Sequence, residues 1–258
     1  MPDSLPRMIS VSASPYCELP RWLLQRLAIP FNEEFHAPLF YLPATRRVGA
    51  GTVVPVMVTR EGTLPDARAI FYHYDAQAPA DQRLLPEASP ARDEVIRLFD
   101  LFYDRLAIAV RRWGYARLLP VRQTTVPMMT AGAPAWERAL VKLIYPLIAL
   151  LMRRALKITK DSPPQDLAEI DEIFTLVETR LADGRAYLCG NGLSAADLAF
   201  AALAAPTVLP DNYGGTLPTI NEVPAAMRAE VEQLRARAAG RFLLRVYDEQ
   251  RGRITGGK

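Results

Sequence analysis

Hydrophobic and polar positions change rhythm near residue 80. Before it, short apolar runs alternate with brief helical stretches. Met8 to Ala13 predicts a strand, and Ser14-Pro15 a helix start with Ser14 as N-cap and Pro15 at the first helical position. Leu19, Trp22, Leu23 and Leu27 then recur at helical spacing until Ile29-Pro30 breaks the pattern. Pro20 lies well inside this helix, where a proline removes a donor and crowds the preceding turn, so a kink after Leu19 is expected. Phe31 to His36 predicts a second strand. Leu39 to Gly51, with Pro43, Gly49 and Gly51, predicts an irregular loop. Val53 to Thr59 predicts a third strand with Pro55 inside it, and Arg60-Glu61-Gly62-Thr63 turns the chain into a short fourth. Asp66 opens a second helix that runs through Tyr74.

The order strand, helix, strand, loop, strand, strand, helix implies a parallel pair with a crossover helix, joined by an antiparallel hairpin. A proline-bearing linker, Pro79 to Pro90, follows. Beyond it the periodicity is almost wholly helical: Asp93–Arg117, Trp136–Ile158, Asp166–Ala182, Leu193–Ala204 and Val223–Ala239, with Phe242–Tyr247 as a short tail that packs back. The expected organisation is an α/β domain over residues 1–80 and an all-α domain over residues 91–258.

Composition narrows the function classes. Of 258 residues, 50% are hydrophobic and 23% charged, ordinary for a globular protein with a sizeable core. The net charge of +3 comes from 31 basic and 28 acidic residues that are interspersed, which argues against nucleic acid as a partner. The basic clusters at Arg111-Arg112, at Arg153, Arg154 and Lys157, and at Arg251 and Arg253 read as solvated helix faces or tail. Leu143 to Met152 is the most membrane-like run. It is about half of the ~20 residues a spanning helix needs and contains Pro146, so no membrane partner is expected. Two cysteines, Cys17 and Cys189, cannot form a disulfide framework, and the Met-Pro-Asp start lacks the basic and apolar regions of a secretory signal. A reducing, cytoplasmic setting is expected. His36 and His73 stand apart from any Cys or carboxylate cluster, so no metal is expected.

Four segments carry candidate chemistry. Ser14-Pro15-Tyr16-Cys17 follows the first strand and opens the first helix, where unpaired N–H groups and the positive end of the helix dipole stabilise a thiolate. A free thiol titrates near about 8.5, and lowering that by two units takes about 2.7 kcal/mol. A serine hydroxyl donating to the sulfur, together with the helix N-terminus, is of that size. Ser14 is equally suited to plain capping. Pro55, in Val53-Val54-Pro55-Val56, is either a proline at a strand edge or the mark of a special, cis backbone. Asp66, before Ala67-Arg68-Ala69-Ile70, reads alone as an N-cap. In Gly192-Leu193-Ser194-Ala195-Ala196-Asp197-Leu198, Ser194 and Asp197 have capping-box spacing, and Leu193 and Leu198 the positions of a hydrophobic staple. This last segment is a folding device.

Together, and in this order, the four segments resemble the glutathione transferase superfamily in its cytosolic, serine-type, two-domain form. The resemblance implies a thioredoxin-like N-terminal domain followed by an all-helical domain. It implies that Ser14 activates the sulfur of glutathione. It implies that Tyr16 and Cys17, which flank that turn, belong to the glutathione-binding set, and that the backbone of Val54, beside cis-Pro55, pairs with the cysteinyl part of the tripeptide. Asp66 helps hold the γ-glutamyl end, and at Ala67 only the backbone N–H is left, where relatives carry a serine hydroxyl. A hydrophobic small molecule as second substrate, a homodimer and a role in detoxification are further implications. The segment from Arg111 to Lys160 is longer than usual and is expected to enlarge the wall of the apolar pocket. Ser14-Pro15-Tyr16-Cys17 also looks like the glutaredoxin Cys-Pro-Tyr-Cys with its first cysteine replaced. Three activities stand open: a transferase that uses Ser14, a glutathione-dependent thiol reductase that uses Cys17, and a non-catalytic binding protein.

Overall fold

The computed structural model describes residues 5–251; Arg253 lies outside them. The N-terminal part runs β1 (Arg7–Ser10), α1 (Pro15–Arg26), β2 (Asn32–Phe35), α2 (Leu42–Arg47), β3 (Val56–Val58), β4 (Thr63–Leu64) and α3 (Ala67–Gln77). The sheet order is β2-β1-β3-β4, with β1 parallel to β2 and antiparallel to β3. Met8 lies opposite Glu33 on one side and Met57 on the other, and Met57 pairs with Leu64 in the hairpin. The two-residue period sorts the faces. Met8 and Met57 face the main core with Leu19, Leu23, Ile70 and Phe71 from α1 and α3. Ile9 and Val56 face a small second core closed by Ala44 and Ala50. That second core explains α2, which the sequence reading leaves as loop: six residues form a helix because Ala44 and Thr45 are buried against the sheet.

The helical part contains α4 (Pro90–Leu101), α5 (Ala107–Leu118), α6 (Arg122–Thr130), α7 (Ala135–Ala155), α8 (Ser162–Leu181), α9 (Ala195–Ala204), α10 (Ala225–Ala236) and α11 (Ala238–Val246). All ten residues of α9 are buried, as its apolar surround requires. The capping box forms: Asp197 accepts from the Ser194 backbone N–H at 2.8 Å and, with its other oxygen, from Leu188 N–H at 2.7 Å. Leu198 is buried and Leu193 packs against the same core, the two ends of the expected staple. The linker is pinned from both sides. Asp75 of α3 accepts from Leu84 and Leu85 N–H at 2.7 and 3.2 Å, and Leu84 O accepts from Ala195 N–H.

Several helices depart from the periodicity. The single helix expected over Asp93–Arg117 is α4 and α5 joined through a π-helical turn, Phe102–Leu106, which adds a residue without breaking the rod. Residues 118–134, without a strong apolar period, fold as α6 despite Pro127. The Trp136–Ile158 helix is α7, bent where Ile144 leaves helical angles (φ −106°, ψ 24°) two residues before Pro146. The Val223–Ala239 helix is interrupted at Arg237, whose ψ of 156° separates α10 from α11. The kink expected at Pro20 is absent: α1 is one continuous helix, and the lost donor costs it a hydrogen bond rather than its course. Gly132 in the α6–α7 turn is obligatory, since its φ is +74° and an added Cβ would stand 2.7 Å from the ring of Phe35.

A buried charge cluster ties α1 to β2 and to the C-terminal segment. Arg21, 1% exposed, bonds Glu18 at 2.8 Å and Glu33 through Nε at 3.0 Å. Ser10 donates to Glu33 at 2.7 Å. The other oxygen of Glu18 accepts from Gly214 N–H at 3.0 Å and pairs with Arg251 Nε at 3.2 Å. Arg251 is thus buried, not part of a solvated tail, and it lies over the Trp22 ring. Removing one partner from such a cluster leaves a buried charge uncompensated. Arg21→Met is therefore expected to lower stability by about 3–5 kcal/mol. Arg105→Ala, which breaks exposed pairs with Glu169 and Glu172, should cost less than about 1 kcal/mol. Urea unfolding of both variants measures the difference.

Candidate active site

The turn from β1 into α1 is built by backbone geometry. Ser14 N–H donates to Val11 O at 3.0 Å, and Ser14 O accepts from Cys17 and Glu18 N–H at 3.0 Å each. Ser14 stands at the N-cap with non-helical angles (φ −77°, ψ 122°), yet its hydroxyl makes no capping bond to the first turn. The plain capping role, open in the sequence, is not the one this side chain takes. Ser14 is half-buried and lines a cavity of about 140 Å³.

Cys17 is fully buried behind the turn, with Val11 N–H 3.5 Å from its sulfur. Burial pushes its thiol up to about 11, and the nearby Arg21 charge and hydrogen bonds from Val11 and Ser14 offset only part of that. The thiol is therefore protonated and enclosed at neutral pH.

The cavity wall is mostly apolar. Val11, Ala13 and Pro15 come from the turn, Pro38, Leu39 and Tyr41 from the segment after β2, and Val110, Gly114, Tyr115 and Leu118 from α5. Met128 of α6 and Met152, Ala155 and Leu156 from the end of α7 complete one side, so the long Arg111–Lys160 segment does supply wall. Among the described residues, Arg111 is the one charged side chain in this lining. Its guanidinium carbon lies 5.5 Å from the Tyr16 ring centre, and its Nε is buried without a hydrogen-bond partner. Sequence reading takes Arg111-Arg112 as a solvated pair. Neither is a solvated charge, since Arg112 binds the buried Asp166 at 2.7 Å. The signal for Arg111 was present: it falls one residue from Val110, in a helix whose apolar face continues at Gly114 and Leu118. Burial raises the phenols of Tyr16 and Tyr41, and pushes that of Tyr115 up to about 12, so all three surround Arg111 uncharged.

The remaining sequence-selected residues are distributed as follows. Val54 lines the cavity with Ser14. The Val54–Pro55 peptide bond is cis, and Val54 lies beyond the β1–β3 ladder, which ends at Ile9 and Val56. Its N–H and C=O make no hydrogen bond within the described residues, leaving an open edge of the kind that an extended peptide can pair with. Asp66 caps α3 by accepting from Ala69 N–H at 2.8 Å, and Ala67 is buried at the first helical position. Pro55, Asp66 and Ala67 stand outside the cavity lining, as do Tyr16 and Cys17. An aromatic bridge spans the gap between α3 and α1. Arg68 lies 4.3 Å from the Tyr103 ring centre, Tyr103 meets Tyr16 edge-on at 5.0 Å, and the Tyr16 hydroxyl donates to Tyr103 O at 3.0 Å.

A loop from the C-terminal part seals the turn from behind. Ser12 Oγ bonds Thr216 Oγ1 at 3.2 Å, and a Cβ on Gly215 would fall 1.9 Å from Ser12 O. Leu217 and Pro218 follow directly into the cavity wall. No residue of this loop was singled out in the sequence, because its role is close approach of backbone to backbone.

The glutathione S-transferase N-terminal domain model matches residues 8–82, and the glutathione S-transferase C-terminal domain model matches residues 134–229. Among curated proteins, none matches this chain. A glutathione S-transferase from Sinorhizobium meliloti shares the fold with a TM-score of 0.59 at 20% identity, covering 96% of this chain and 95% of its own. An enzyme of the same class name from Ceriporiopsis subvermispora, solved in complex with glutathione, aligns with a TM-score of 0.61 at 14% identity over 96% and 98% of the two chains. The human transferase T1-1 in its apo form gives 0.57 at 18% identity, over 96% and 89%. With both domain models matched over most of its length, and the thioredoxin-like and helical parts in place, this chain belongs to the glutathione S-transferase superfamily.

Proposed function

We propose that the protein conjugates reduced glutathione to a hydrophobic electrophile. The observation that carries this reading is the position of Ser14, at the N-terminus of α1 on the lip of an apolar cavity, with its hydroxyl not used for capping. Glutathione lies along the open backbone edge at Val54 with its γ-glutamyl end toward Asp66 and the Ala67 N–H. Ser14 donates to the sulfur, and the helix N-terminus and Arg111 favour the thiolate over the thiol. The thiolate attacks an electrophilic carbon of a molecule held in the cavity, a carbon–sulfur bond forms, and the leaving group departs with the bonding pair. That the Ceriporiopsis relative was solved with glutathione supports the choice of nucleophile. The setting proposed is the cytoplasm, in a detoxifying role, with the protein as a homodimer.

The burial of Cys17 favours this reading over a thiol reductase, which needs an accessible thiolate. The absence of a hydroxyl at Ala67 favours weak glutathione binding, and its extreme form is the non-catalytic protein.

Titration calorimetry with reduced glutathione tests the proposal. Binding, with a thiolate absorbance near neutral pH that disappears in Ser14→Ala, is the expected result, and kcat/KM should fall by about 10²–10³ in that variant. No heat at millimolar glutathione would leave the non-catalytic reading. Ala67→Ser restores a hydroxyl to a charged group and is expected to tighten glutathione binding by about 10- to 100-fold. Cys17→Ala should retain the conjugating activity. In the wild type, alkylation of Cys17 by iodoacetamide should stay slow up to the pH that titrates a thiol near 11, and become fast on unfolding.

A further inference from the structure

Helix α7 is apolar on two opposite sides. Its inner side, with Val141, Tyr145, Ile148 and Met152, is buried, and its end walls the cavity. Its outer side carries Trp136 at 60% exposure, Leu143 at 77%, Leu147 at 50%, and Leu150 and Leu151 at 45% and 41%. These recur at spacings of three, four and seven and so form one stripe. Among the described residues, the other exposed large hydrophobics, Leu5, Val53 and Ile108, are scattered, so the stripe is a patch and not background. A helix apolar all round is ordinarily covered on all sides.

The charges beside the stripe identify what covers it. Arg138, Lys142, Arg153 and Arg154 lie on α7, and Lys157 and Lys160 follow it. Among the described residues none of the six has a carboxylate partner, whereas arginines elsewhere in the helical part, such as Arg112, Arg117, Arg180 and Arg237, are paired. The one acid of α7, Glu137, points inward and is occupied by His36 at 2.6 Å and Ala37 N–H at 2.8 Å. The outer surface of α7 is therefore Leu and Trp with a basic border and no exposed acid.

We propose that the outer face of α7 lies in the surface of an anionic membrane, its Trp and Leu side chains in the headgroup–acyl boundary and its Arg and Lys on lipid phosphates. This differs from spanning: no helix among the described residues is long and apolar enough to cross. It also revises the expectation of no membrane partner, which rested on the length of Leu143–Met152. A second copy of the chain is the poorer occupant. A self-complementary contact between two α7 faces would set basic borders against each other with no acid to answer them. The proposal does not rest on the transferase reading.

Vesicle flotation of the full chain tests it, with vesicles of equal parts phosphatidylglycerol and phosphatidylcholine against phosphatidylcholine alone. Trp22 and Trp113 are buried, so Trp136 reports insertion as a blue shift of its emission. The protein is expected to float with the anionic vesicles, less so at high salt, with that shift. Leu143→Glu/Leu147→Glu should abolish both. Lys142→Ala/Arg154→Ala should weaken partitioning by about 25-fold, at about fivefold for each basic side chain. All four positions are outside the cavity lining, and unchanged circular dichroism verifies that the variants are folded. Equal behaviour on both vesicles, or variants that bind like the wild type, would overturn the proposal. So would a concentration-dependent dimer in sedimentation that Leu143→Glu/Leu147→Glu dissociates while vesicle binding is absent.

Discussion

Arg21 lies in the protein interior between two carboxylates, and much of the architecture is arranged to make that tolerable. A lone buried guanidinium is costly; here Glu18 and Glu33 both contact it, Ser10 satisfies a further oxygen of Glu33, and Gly214 and Arg251 complete Glu18. The cluster draws on α1, β1, β2 and the turn at Tyr247–Arg251, the last of the described residues. It fixes the helix whose first turn carries Ser14, and it holds the Tyr213–Thr216 loop against Ser12. The candidate active site is thus supported from behind by charges that never reach it.

The site itself divides into a polar half and an apolar half. The polar half is mainly backbone: the open edge at Val54, the first turn of α1 and the first turn of α3. The apolar half is side chains from α5, α6, the end of α7 and the Leu217–Pro218 loop. Arg111 stands where the halves meet. In a wall otherwise without charge, and with its tyrosine neighbours held neutral, its field is directed at whatever occupies the cavity.

What could be read from the sequence was what local rules dictate. The strand–helix–strand order, the α9 capping box and the Ser14-Pro15 helix start each rest on neighbours within a few residues, and the structure contains all of them. The parallel β1–β2 pair and the antiparallel hairpin followed from the same periodicities; the order β2-β1-β3-β4, with β1 in the interior of the sheet, did not. The misses have a common cause in contacts made far along the chain. α2 forms because Ala44 has Ile9 and Val56 to cover, and α6 because Val126, Met128 and Met129 join the main core; neither shows a strong apolar period. Arg251 looked like surface charge because its partners, Glu18 and Trp22, lie near the other end of the sequence, whereas the inward side of Arg111 was legible in its spacing to Gly114 and Leu118. At Pro20 and Pro146 the same rule gave opposite outcomes: buried α1 stayed continuous, while the peripheral α7 bent.

The π turn at Phe102–Leu106 has a consequence for how this fold can vary. One residue on a helix is a rotation of about 100°. The wide turn absorbs that rotation for its own extra residue, so that Val110, Arg111, Gly114 and Leu118 face inward to the cavity while Phe99 and Phe102 keep their place in the core. Loss of a single codon in that turn would restore a regular rod with the same residues facing inward, whereas loss of Ala107, just beyond it, would swing the exposed Ile108 into the buried place of Ala107. The pocket would be rebuilt from a different set of side chains without one substitution in its wall. For this chain, length at one point of a helix is as much a determinant of ligand choice as the identity of any lining residue.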